Sequence, residues 1–201
     1  MMTIAQSASR WALVFVLVSL AAYPAAAQRI NFGTYATQNI STIVSGSLNF
    51  NDKQPAIGSG TNATVTIALI DNETQYITIT AEATRDVTVT VTAPTDLITG
   101  GGGPGNQVPF TCRFAYSNLG ASSVAAAKAA AIEVPVGYNA ITFPMLRRSS
   151  GAPLPPPTPP HGGYTPPSAT AYLFLYGTFG PVGNVSAGMY SGTVNVNVQY
   201  Q

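Results

Sequence analysis

His161 is the only histidine in the sequence and Cys112 the only cysteine. A nucleophile–base pair needs its histidine on a rigid, oriented support. His161 instead lies within GAPLPPPTPPHGGYTPP, residues 151–167. A zinc site needs several Cys or His ligands, and one of each is too few. Glycoside hydrolysis needs two carboxylates flanking the scissile bond. Five of the seven acids, Asp52, Asp71, Glu73, Asp86 and Asp96, fall instead at expected turns and strand ends. A calcium-binding turn at residues 71–73 has the right atoms but little specificity. The glycine run at residues 100–105 lacks the lysine and helix of a phosphate-binding loop. These residues predict a non-enzymatic protein with no catalytic residues, no metal and no cofactor.

Composition points the same way. Charged residues make up 7% of the 201-residue chain, against about 25% in an average soluble domain. The formal net charge of +1 provides no basic field for nucleic acid, and the 46% hydrophobic content argues against charge-driven disorder. Thr, Asn, Ser and Gly replace the missing ions, a composition typical of exported β-proteins.

The N-terminus carries an export signal. Arg10 precedes an apolar run at residues 11–23, WALVFVLVSLAAY, whose 13 residues are too few for a bilayer that needs roughly 20. Pro24 follows, and Ala25 and Ala27 provide small residues at −3 and −1. Cleavage is therefore expected after Ala27. Residues 1–27 form a signal peptide, and residues 28–201 form one domain with seven basic and seven acidic residues. The destination is the periplasm, cell surface or extracellular space. Near-zero net charge favours association over repulsion.

The mature chain alternates with period two. Residues 63–70 place Val65, Ile67 and Leu69 on one face, and residues 75–83 do the same with Ile77, Ile79 and Ala81. In residues 87–93, Val87, Val89 and Val91 oppose Thr88, Thr90 and Thr92. Further strands are expected at residues 30–35, 42–50, 108–116, 138–143, 171–179 and 193–200. Residues 71–73 and 84–86 are read as hairpin turns. Residues 121–134 are Ala-rich and predict a short helix. Prolines as dense as those at residues 151–167 cannot enter a sheet and predict a projecting loop. The expected fold is all-β: an immunoglobulin-like antiparallel β-sandwich. Phe110, Cys112, Phe114 and Tyr116 share one strand face, which makes Cys112 either a small buried apolar residue or a thiol free for intermolecular disulfide chemistry. Exposed as edges, the Val–Thr runs would carry little protection against aggregation.

The C-terminus carries the most specific pattern. Gly188 is fourteenth from the end, Tyr190 follows, and Val194, Val196 and Val198 alternate up to the penultimate Tyr200. This spacing resembles the C-terminal strand of chaperone–usher pilus subunits. Residues 171–201, together with Asn31-Phe32-Gly33-Thr34, resemble more closely a fimbria-like family of secreted bacterial β-proteins of unknown function related to spore-coat-U-type proteins. The resemblance implies a structural subunit at the cell surface that assembles by β-strand addition. Its partners would be a periplasmic chaperone, an usher and further copies of itself. In such families the domain lacks one strand, which a chaperone and then a neighbouring subunit supply. Val194, Val196, Val198 and Tyr200 would form the edge that is read, unless this is simply the last internally paired strand. Ile30, Phe32 and Gly33 would belong either to a first body strand or to the donated arm. The family's usual internal disulfide is absent, since one cysteine cannot form it.

Two other classes fit less well. An adhesin or carbohydrate-binding module would use loop aromatics, with Tyr138, Tyr164 and Tyr176 as candidates. An outer-membrane barrel would need strands of about 9–11 residues with aromatic girdles, and most runs here are shorter.

Overall fold

The computed structural model describes residues 39–54, 60, 62–147 and 166–201. The expected signal peptide with Ala25 and Ala27, the segment holding Ile30, Phe32 and Gly33, and most of the Pro-rich segment with His161 and Tyr164 lie outside these residues.

Val, Ile and Thr are stiff at χ1 and favour the pleated surface of a sheet. Their runs become strands. In chain order, the described elements are β1 (Ser41–Val44), α1 (Phe50–Lys53), β2 (Val65–Ile67), β3 (Gln75–Glu82), β4 (Asp86–Thr92), β5 (Asp96–Ile98), β6 (Gln107–Ser117), α2 (Val124–Ala129), β7 (Ile132–Glu133), β8 (Ala140–Pro144), β9 (Ser168–Phe179) and β10 (Asn195–Tyr200). They form two antiparallel sheets. The larger runs β1-β3-β9-β6-β5, with β2 also on β9 and β7 on β6. The smaller runs β10-β4-β8.

The core lies between the sheets. Ile77, Ile79 and Ala81 from β3 and Ala171 and Leu173 from β9 meet Val87, Val89 and Val91 from β4 and Phe143 from β8. Tyr116 stacks on Phe143 with ring centroids 4.6 Å apart. A second cluster builds outward from the large sheet, where Ala115, Phe174 and Tyr176 pack with Ala127 of α2. The all-β sandwich expected from the alternation is the fold observed.

Several local expectations need correction. Residues 71–73 do not close a hairpin, because β2 and β3 do not pair with each other. Both run antiparallel to β9, β2 opposite Phe179–Gly177 and β3 opposite Leu175–Ser168. The intervening chain is an excursion pinned by Asp71, whose carboxylate accepts from the Ala68 N–H at 2.8 Å and from Lys53 Nζ at 2.7 Å. Residues 84–86 likewise carry the chain from the large sheet to the small one, since β3 and β4 belong to different sheets. The strand expected at residues 42–50 stops at Val44, and the chain then enters α1, whose N-cap Asn49 accepts from the Asn51 N–H. The Ala-rich helix is real but only six residues long. Ser123 caps it by accepting from the Ala126 N–H. It ends early because the chain pairs Ile132 and Glu133 with β6 as β7. Finally, β4 is covered on both sides by β10 and β8, so its Val–Thr run is not an edge.

Candidate functional site

In an antiparallel pair, residues in register point to the same face. Thr42 and Val44 of β1 are in register with Ile79 and Ile77 of β3 and so face the core. Ile77 is 5% exposed, yet Val44 is 61% exposed. The same contrast holds across the small sheet. Val196, Val198 and Tyr200 are in register with Val91, Val89 and Val87. All three β4 residues are buried, whereas those of β10 are only half-buried. Among the described residues, β1 ends one sheet and β10 ends the other. On the core side of both edge strands, apolar surface lies open.

The two edges border one groove of about 1070 Å³. Its lining includes Val44 and Ile77 from one side, Val194 and Val196 from the other, and Cys112 and Leu175 between them. None of its lining residues is Asp, Glu, Lys or Arg. Its volume is at the upper limit of clefts that hold small molecules, about 300–1,000 Å³. Its lining mixes apolar side chains with uncharged polar ones, among them Asn49, Asn51, Gln75 and Thr193.

The C-terminal end of β10 is tied to the large sheet. The Tyr200 hydroxyl accepts a hydrogen bond from the Glu82 N–H at 3.0 Å, tying β10 to β3 across the two sheets. The Arg85 guanidinium lies over the Tyr200 ring, 4.5 Å from its centroid. The penultimate tyrosine is thus a latch on the last strand. Glu82 is 1% exposed, so losing the acceptor strands a buried donor, a cost of about 1–3 kcal/mol. Tyr200→Phe is expected to lower unfolding stability by that amount in urea titration. A midpoint equal to wild type would show that the hydroxyl contributes nothing.

Val194, Val196, Val198 and Tyr200 therefore lie at or in an edge strand, with Val194 immediately before β10. Gly188 and Tyr190 do not belong to that strand, a correction to the sequence reading. They lie in the irregular segment leading to it, which Ser191 fastens to β5 by two backbone hydrogen bonds with Ile98, each 2.9 Å. Close packing fixes this path. A Cβ on Gly188 would lie 2.9 Å from Thr99 Oγ1, and one on Gly192 would lie 2.8 Å from Leu97 Cδ2. The Tyr190 hydroxyl donates to the Ser186 carbonyl at 2.7 Å, which folds the segment back on itself.

Cys112 is half-buried on the groove floor. Burial pushes its thiol up from 9.0 to about 11, so at neutral pH it is protonated and a poor nucleophile. Because the folded value is raised, stability from this group is fully present below pH 9.0 and is lost as pH rises toward about 11. Alkylation of the folded protein is expected to accelerate with pH through about 11. A rate that levels off by pH 9 would contradict the buried-thiol assignment.

The remaining candidates separate. Tyr138 is 67% exposed on a loop, whereas Tyr176 is 3% exposed and donates to Glu133 Oε2 at 2.9 Å. They do not form one aromatic platform. Asp71 is committed to Lys53 and to the Ala68 N–H, which together hold its carboxyl below the usual range. Among the described residues no group of three or more His, Cys, Asp or Glu could hold a metal, and no helix is long and apolar enough to cross a membrane. Alternation alone does not reveal the groove, because it is the same whether a strand is internal or an edge; only the resemblance to strand-accepting subunits implies an open edge there. Comparison of the chain with protein-family models, curated proteins and solved structures finds no match.

Proposed function

We propose that this protein is an exported, non-enzymatic structural subunit, fimbria-like in kind, that assembles by β-strand addition. The single observation supporting this is that, among the described residues, β1 and β10 each end a sheet, with Val44 61% exposed and Val194, Val196 and Val198 only half-buried. A flat apolar edge is a template for another strand. One strand laid between β1 and β10 would extend the sheet edges and cover the apolar floor in a single step. The partner class follows: an extended segment from a periplasmic chaperone or from another copy of the chain, delivered by an usher where one operates. On this reading the incomplete sandwich is immunoglobulin-like, and residues 1–27 direct export to the periplasm and cell surface.

The test is expression of the full chain with its signal in a bacterial host, followed by size-exclusion chromatography with light scattering on the periplasmic fraction. Oligomer ladders that survive mild denaturant, or stoichiometric co-purification of a chaperone, are expected. A strictly monomeric protein would count against assembly.

A further inference from the structure

We propose that β8, the edge of the small sheet opposite β10, is capped against strand addition by Pro144 and Asn118, which steers any added strand to the β1–β10 side. The cap follows from the geometry of β8 alone, whereas the side that accepts a strand rests on the strand-addition reading.

Among the described residues, β8 ends the small sheet just as β10 does. The ladder to β4 fixes which way its backbone points. Pro144 is in register with Asp86, and Ala140 with Thr90. Just beyond these pairs, the Met145 N–H donates to the Arg85 carbonyl at 2.9 Å, and the Val91 N–H donates to the Asn139 carbonyl at 2.8 Å. Backbone groups alternate sides along an antiparallel strand. Residues 139, 141, 143 and 145 therefore turn theirs toward β4, and Ala140, Thr142 and Pro144 turn theirs to the outer edge.

Both ends of that outward run are stopped. Pro144 has no N–H to offer. Its carbonyl is already taken, accepting from Asn118 Nδ2 at 2.7 Å. Asn118 follows β6 of the large sheet and is 2% exposed, and its own carbonyl accepts from the Arg147 N–H at 2.9 Å. At the other end the next outward residue is Tyr138, whose N–H donates to the Pro135 carbonyl at 3.3 Å within a turn. A partner strand would find backbone pairing at Ala140 and Thr142 and be stopped on either side of them.

The apolar gain is missing as well. Phe143, on the core side of β8, is 2% exposed and stacked on Tyr116, unlike the half-buried valines of β10. The β10 backbone differs too. The Gln201 N–H donates to the Asp86 carbonyl at 3.1 Å, so Val196 and Val198 turn outward, and neither is proline. A cap matters because Val136 and Tyr138, 74% and 67% exposed just before β8, would give an incoming strand an apolar hold. Native sheets guard such edges with proline.

The test removes the cap in the Val196→Asp chain, whose β10 edge carries a carboxylate. Pro144 is exposed, so Pro144→Thr adds an outward N–H without burying it. The readouts are light scattering against concentration and amide exchange of Ala140 and Thr142. Val196→Asp alone should stay monomeric, with both amides exchanging quickly. With Pro144→Thr added, association should strengthen by about tenfold or more, and both amides should slow about tenfold in the associated fraction. Adding Asn118→Ser should strengthen association further by releasing the carbonyl of residue 144. Asn118 is buried, so Pro144→Thr alone decides the outcome if this third change abolishes a cooperative melt. A folded Pro144→Thr chain as monomeric as its parent would overturn the cap. Association that leaves Ala140 and Thr142 exchange unchanged would overturn it too, as would a parent that associates and slows these two amides. A wild type that stays monomeric would defeat strand addition at the β10 edge and leave the β8 comparison intact.

Discussion

Val196→Asp is expected to abolish oligomers while leaving the subunit folded. Val196 is half-exposed on the core side of an edge strand, so the isolated subunit can hydrate a carboxylate there. An added strand would remove that water. Burying an ion without a partner costs several kcal/mol, and about 2.7 kcal/mol already corresponds to a hundredfold loss of affinity. Light scattering should show monomer at concentrations where wild type is fully assembled. Circular dichroism and a cooperative melt should match wild type closely. Oligomers persisting at wild-type concentration would place the assembly surface elsewhere.

The largest stability effect is expected at Gly177. This residue lies opposite Cys112 within the β6–β9 ladder. A methyl group there would overlap the Thr111 carbonyl oxygen, which is backbone and cannot rotate away. The two central strands of the large sheet would have to separate, loosening the packing of Phe114 and Leu173 below. Gly177→Ala should cost about 4 kcal/mol or more, a size reserved for strain or disrupted core. Since domains are stable by only about 5–15 kcal/mol, Gly177→Val should fail to accumulate in folded form. Urea unfolding of the Ala variant within about 1 kcal/mol of wild type would show that the strands accommodate a side chain after all.

Much of the architecture is legible in the sequence because residues 75–83, 87–93 and 108–116 alternate strictly. One face of each is apolar, so the sheet face and the core membership of Ile77, Val89 and Phe114 follow together. Pairing is less legible. Residues 71–73 have the composition of a hairpin turn, yet β2 and β3 align end to end on β9, because Asp71 fastens the loop through Ala68 and Lys53. Local composition marks a reversal or an excursion equally well. Gly188 and Tyr190 match a strand-like spacing, but Thr99, Leu97 and Ser191 hold that segment as a loop through contacts distant in sequence.

The groove depends on a property that no single segment contains. Val194, Val196 and Val198 would alternate identically as an internal strand. That β10 and β1 each end a sheet among the described residues emerges only from the order of strands in both sheets. The aggregation liability read from the Val–Thr runs shifts for the same reason. It leaves β4, which is covered, and rests on β1 and β10, where Val44 and the β10 valines are exposed or half-exposed.

Amide hydrogen exchange of β10 in assembled and monomeric protein tests strand addition most directly. In an antiparallel pair, alternate N–H groups point to opposite sides, so β4 protects one set of the Asn195–Tyr200 amides and the other faces outward. An added strand should slow this second set by about a hundredfold or more on assembly, leaving the first set little changed. Exchange across Asn195–Tyr200 that is the same in oligomer and monomer would contradict strand addition at this edge.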